Sequence, residues 1–271
     1  MPVKQNNELK VWQRRDRNHQ LRVWFMYLVG VAIFMYCWFV ISESTTWYFV
    51  YDAPRIAADI GGRAWPPRWS YLSELWEPLW DTINVATIGT ALALVFAVPV
   101  AFLAARNTTP NKTFLRPLAL LIIVSSRSIN SLIWALLLVS VIGPGIFAGT
   151  IAIALRSIGF TAKLLYEAIE EIDANQVEAI TATGASRAQV IVYGIIPQIM
   201  PAFAGIVVFR WDINIRESTV LGLVGAGGIG LQLQSSLNIL AWPQVTVILS
   251  LILVAVIISE WVSAKVRHAI I

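Results

Sequence analysis

The sequence predicts an all-α, polytopic membrane protein with six transmembrane helices. Of its 271 residues 57% are hydrophobic and only 13% charged, which leaves too little polar surface to cover a water-soluble globule. Apolar runs long enough to cross about 30 Å of hydrocarbon, ~20 residues each, lie at 23–41, 82–105, 117–142, 146–165, 197–221 and 245–266. A polar stretch, EAITATGASRAQVIVYGIIP at 178–197, sets Gly184 between the fourth and fifth runs and ends on Pro197, where the fifth begins.

The elements follow in order. Residues 1–22 form a basic tail with Lys4, Lys10, Arg14, Arg15, Arg17 and Arg22. The first transmembrane helix, 23–41, has no small-residue cleavage site after it and reads as an anchor, not a removed signal. Residues 42–81 are rich in tryptophan (Trp47, Trp65, Trp69, Trp76, Trp80) and predict a short interfacial helix near 71–80 at headgroup level, or a contact for a docking protein. The core is 82–271. Arg106, Lys112 and Arg116 follow the second span, and Lys265 and Arg267 close the sixth, so the basic flanks place both termini in the cytoplasm. The net charge of +4 is then a topology signal, with no indication of nucleic acid.

The third span is divided by SSRSINS, whose Ser125, Ser126, Arg127, Ser128, Asn130 and Ser131 offer hydroxyl, guanidinium and amide donors suited to an oxyanion, or to hydrogen bonds between helices. In the fourth, Arg156 and Lys163 share a face with Gly159 leaving room between them; Lys163 can snorkel to the interface, whereas Arg156 is deeper. In the fifth, Arg210 and Glu217 share one face and Asp212 and Arg216 another, which predicts internal ion pairs, structural or breakable as a gate.

The segment 168–196 predicts helix, turn, helix. Residues 174–183 favour a helix, Gly184 can end it with positive φ, Ser186 can cap a second helix, and Pro197 suits the first turn of the next. Counting spans places it in the cytoplasm despite Glu167, Glu170, Glu171, Asp173 and Glu178, whose acidity suits a protein partner.

Several chemistries are disfavoured. Cys37 is the only cysteine, His19 and His268 lie in the tails, and no nucleophile stands beside a base, so no enzyme active site is expected. GAGGIG at 225–230 fits a dinucleotide fingerprint, but no acid follows before Glu260; a re-entrant glycine turn is the better reading. There is no phosphate-binding G-x-x-x-x-G-K-[ST], so any ATP hydrolysis belongs to another subunit.

The 178–197 stretch resembles the signature loop of the membrane subunits of ABC importers, with Glu178, Ala179, Gly184, Ile196 and Pro197 in the matching places and Ile180 and Gly194 departing. SRSINSLIWALLLVSVIGPGIFAGTIAIALRSIGFTAKLLYEAIEEID and NIRESTVLGLVGAGGIG resemble the phosphonate permease family over roughly 75–268, with Ser131 and Pro144 as departures. The resemblance implies a type I ABC importer permease core, MetI-like, in a bacterial inner membrane. It implies ATPase coupling through Glu178, Ala179, Gly184, Ala185 and Pro197, and import of phosphonate, phosphite or phosphate by alternating access. The implied partners are a second permease subunit, identical or paralogous, two cytoplasmic ABC ATPases that hold ATP-Mg, and an extracytoplasmic substrate-binding protein, with membrane lipid around them. Ser126, Arg127, Ser128, Asn130, Arg156 and Arg216 would line the substrate pathway, and Arg210, Asp212, Arg216 and Glu217 would form the gate pairs. A self-sufficient secondary transporter or channel for a small anion, or an ABC permease for another solute, is the alternative.

Overall fold

The computed structural model of the protein describes residues 3–6, 9–12 and 17–270. The chain forms two compact units, Met1–Gly62 and Arg63–Ile271. In the first, strands β1 (Val3–Asn6) and β2 (Leu9–Trp12) pair antiparallel, with Val3 opposite Trp12. Helix α1 (Arg17–Ser44) begins inside the expected tail and runs past residue 41. Over 23–41 it is apolar on all sides, and Phe25, Phe34, Tyr36 and Phe39 are exposed, as a lipid-facing span requires.

Helix α2 (Trp47–Ala64) has no counterpart among the expected elements. At 100° per residue its Asp52, Arg55, Asp59 and Arg63 fall in an arc of about 80°, with Phe49, Ile56 and Ile60 outside it. The short helix expected at 71–80 is instead divided between a 3₁₀ turn (Trp69–Leu75) and the start of α3 (Trp76–Ala104), which enters helix six residues before position 82.

The second unit is built around α3 and α6 (Ile146–Glu170). Small residues let the two backbones close up: Ala93, Ala97 and Ala101 of α3 and Ala148, Ala152 and Ala162 of α6 are buried, and a Cβ at Gly89 would stand 2.9 Å from Ile153 Cγ2. Helices α4 (Leu115–Ser128) and α5 (Ser131–Ile142) pack on α6 and meet at an 85° bend, so the third apolar run is a broken element. Asn130 caps α5 by accepting from the Leu132 N–H at 3.1 Å. Five helices of the described residues are long and apolar enough to cross a membrane, six if the bent pair is one span.

Helix α7 (Ala174–Ala182) starts on the Asp173 cap and ends before Gly184, whose φ of 82° only glycine adopts freely. A short helix α8 (Arg187–Gln189) has the reciprocal capping box of Ser186 and Gln189. It does not stop before Pro197. A π-helical stretch (Val190–Ile195) joins it to α9 (Ile196–Leu221), giving one helical run, Arg187–Val224. Glycines 225, 227 and 228, all at positive φ, then turn the chain into α10 (Ile229–Asn238), a helix not expected from sequence, and α11 (Trp242–Ile270) follows.

Two sets of contacts define the ends of this unit. At one, the Arg106 N–H donates to Glu170 Oε1 at 2.8 Å, Arg116 lies 3.8 Å from the same oxygen, and Asn107 Nδ2 donates to the Ile169 carbonyl at 2.5 Å. The α3–α4 loop, the end of α6 and the α7–α8 elbow thus share an end. At the other, Gly145 N–H donates to the Gly225 carbonyl at 2.9 Å and Ile229 N–H to Thr82 Oγ1 at 2.8 Å.

Candidate functional site

The elbow presents its signature residues outward. Glu178, Ala179 and Gly184 are exposed, Ala185 is half-buried, and Pro197 sits in the first turn of α9. Val177, Ile191 and Ile195 anchor the elbow on the core formed by α3, α4 and α6. A cavity of about 340 Å³ lies behind it, lined by Asn107, Glu170, Val177, Glu178, Arg187 and Ile191 among others. The elbow is therefore a small helical hairpin held by its apolar side, with its polar side free for another surface.

The second site lies between the ends, where α4, α5, α6 and α9 meet. Arg156 Nη1 of α6 stands 2.5 Å from Glu217 Oε1 of α9 and donates to Ser131 Oγ at 3.3 Å. Arg210 reaches Glu217 Oε2 at 3.5 Å, donates through Nε to Ser157 Oγ at 2.9 Å, and lies 5.1 Å over the Phe160 ring. Arg127 comes from α4 to the same ring at 4.8 Å. Asp212 pairs with Arg216 one turn away and accepts from Ser259 Oγ at 2.8 Å. A cavity of about 340 Å³ opens on this cluster, lined by Asn130, Ser131, Leu132, Arg156, Ile213, Arg216, Glu217, Val220 and Leu221.

The structure thus gathers Asn130, Arg156 and Arg216 at one cavity and forms both same-face pairs of α9. Other residues fall elsewhere. Ser126 Oγ donates to the Leu155 carbonyl and accepts from Gly159 N–H at 2.9 Å, so it fastens α4 to α6. Ser128 Oγ donates to Val124 within its own helix at 2.8 Å. Gly159 does not make room between Arg156 and Lys163; it makes room for α4, whose Ile123 carbonyl would lie 2.6 Å from a Cβ there. Lys163 pairs with Glu167 at 3.5 Å. Sequence reasoning missed the Arg156–Glu217 contact between helices, as well as Ser157 and Phe160; Ser131 it placed in the donor-rich break of the third span.

Residues 97–268 match the family model described as binding-protein-dependent transport system inner membrane component. The chain belongs to that family. The permease is 38% identical to a phosphite transport system permease protein of Stutzerimonas stutzeri over 262 residues, covering 93% of this chain and 94% of the relative. It is also 38% identical to a phosphate-import permease protein of Mycolicibacterium smegmatis over 203 residues, 75% of this chain and 38% of that one. Its fold is that of solved ABC importer permeases. An inward-facing methionine ABC transporter superposes with a TM-score of 0.65 at 20% identity, covering 75% of the permease and 99% of that chain. A bacterial alginate ABC transporter gives 0.54 at 19%, covering 92% and 98%. The permease is accordingly an inner-membrane transport component of the type I importer fold, not a catalytic subunit.

Proposed function

We propose that this chain is the membrane-spanning subunit of an ATP-driven importer of phosphite, phosphonate or phosphate anions. The observation that carries the substrate class is the near full-length similarity to a phosphite transport permease. The cavity beside Arg156 supports it, since guanidinium forks with one hydroxyl and one amide match the oxygens of a small oxyanion. Asn130, Arg156 and Arg216 line the pathway, with Arg127 beyond Phe160, and the pairs of Arg210 and Arg216 with Glu217 and Asp212 set the charge around it.

The working assembly pairs this chain with a second permease subunit, two ABC ATPases that bind ATP-Mg, and a substrate-binding protein that delivers the anion from outside. The elbow around Glu178, Ala179, Gly184, Ala185 and Pro197 takes the stroke of the ATPase. The polar, outward side of α7 and α8, held from behind by apolar contacts, is the surface suited to that docking. The elbow, the basic α3–α4 loop and both termini then face the cytoplasm. Domain bounds follow: an N-terminal anchor, an interfacial α2, and a permease core from α3 onward.

Uptake in cells lacking other phosphorus importers, expressing this chain with its neighbouring transport genes, tests the reading. Labelled phosphite should enter and be competed by methylphosphonate or phosphate, and Gly184→Pro should abolish entry while the chain still reaches the membrane. Uptake of a cation in preference, or full uptake in Gly184→Pro cells, would sink it.

A further inference from the structure

We propose that Glu217 is a built-in counter-anion: its carboxylate occupies the place of the transported oxyanion on Arg156, and the oxyanion crosses by displacing it. This deepens the importer reading and rests on it.

The carboxylate bridges guanidiniums from two helices, Arg156 of α6 at 2.5 Å through Oε1 and Arg210 of its own α9 at 3.5 Å through Oε2. The two arginines are unlike. Arg210 is 3% exposed and is held also by Ser157 and Phe160, so it is fixed. Arg156 is 22% exposed, lines the cavity, and has a buried Nε with no hydrogen-bond partner. Its Nη1 already has Ser131 Oγ at 3.3 Å. When Glu217 swings away, Arg156 thus presents open donors beside a cavity of about 340 Å³, ample for a tetrahedral anion, with the Ser131 hydroxyl at its edge donating to Asn130 Oδ1 at 3.2 Å.

The charges favour exchange over passive pairing. Asp212 balances Arg216, but Glu217 alone faces Arg156 and Arg210, and Arg127 adds a further cation with no ion pair among the described residues. The cluster therefore has spare positive charge to draw an anion in. A carboxylate tethered beside Arg156 competes at high effective concentration, so the anion binds weakly and leaves. Without that competitor, the same donors would hold the anion and slow its release.

The test is equilibrium binding of radiolabelled inorganic phosphite and phosphate to the full chain in lipid nanodiscs, alongside cellular uptake. Glu217→Gln should bind either anion about tenfold more tightly than the wild type, the scale expected on removing one close charge, and should import it more slowly. Adding Arg156→Gln should remove the gain in affinity, which a merely structural role for Glu217 would not produce. Unchanged or weaker binding by Glu217→Gln overturns the proposal. If that variant does not assemble, Glu217→Asp, one methylene shorter, should bind about threefold more tightly, and an affinity equal to the wild type overturns it equally. Failure of wild-type cells to import phosphite, phosphonate or phosphate would instead sink the importer reading, which the binding assay judges separately.

Discussion

Placing a single methyl group at Gly159 probes the joint that sets α4 against α6. A Cβ there would stand 2.6 Å from the Ile123 carbonyl oxygen and 2.8 Å from both Cβ and Oγ of Ser126. A relaxed carbon–oxygen contact is about 3.3 Å or more, so α4 would have to retreat by ~0.7 Å. Overpacking on that scale costs about 1–3 kcal/mol. The retreat also loosens the Ser126 bonds to the Leu155 carbonyl and the Gly159 amide, each worth about 1 kcal/mol. Against a small gain in helix propensity, Gly159→Ala should lose about 2–4 kcal/mol. At ~2–4 °C per kcal/mol for a unit of this size, the midpoint of thermal unfolding of the full chain in detergent, followed by helical circular dichroism, should fall by about 4–16 °C. Gly30→Ala in α1, where a Cβ meets nothing within 4 Å, is the control and should hold or raise the midpoint. A Gly159→Ala midpoint equal to that of the control would refute the close crossing of α4 and α6.

Asn214, fully buried, donates to Thr90 Oγ1 at 2.7 Å and accepts from Ser157 Oγ at 3.2 Å, joining α3, α6 and α9; Asn214→Leu should cost about 2–3 kcal/mol in the same melt. Gly228 has φ 72° and a Cβ there would lie 2.5 Å from Thr82 Oγ1, so Gly228→Ala should speed hydrogen exchange at the Ile229 amide, and unchanged protection would contradict the bond it makes to Thr82. Ser186→Ala removes one half of the capping box and should weaken α8 by about 1 kcal/mol, read as a roughly fivefold loss of amide protection over 187–190.

What the sequence made legible was what depends on near neighbours. Apolar runs marked the spans, Gly184 and Ser186 marked the ends of α7 and α8, and the i,i+4 and i,i+7 spacings of α9 marked its two ion pairs. The break between α4 and α5 was visible as a polar insert, though not its 85° angle. Contacts between distant segments were not legible: Arg156 meets Glu217 across 61 positions, and Ser126 serves Gly159 across 33, because helix packing, not local pattern, brings them together. Helix α2 was hidden by its aromatic start, Trp47 to Tyr51, which reads as headgroup anchoring although the spacing of Asp52, Arg55, Asp59 and Arg63 has a helical period.

The continuous helical run from Arg187 to Val224, α-helical but for a π stretch at Val190–Ile195 and a last 3₁₀ turn, has the reach of a mechanical lever. Thirty positions separate Arg187 from Glu217, about 45 Å at the α-helical rise, so a tilt of only ~5° pivoted at the elbow sweeps Glu217 through an arc of about 4 Å. That sweep exceeds the 2.5 Å reach by which Glu217 touches Arg156 of α6, while Arg210, on the same helix, travels with it. A tilt that is slight at the elbow is large enough, at the far end of the arm, to part Glu217 from Arg156 and leave it with Arg210.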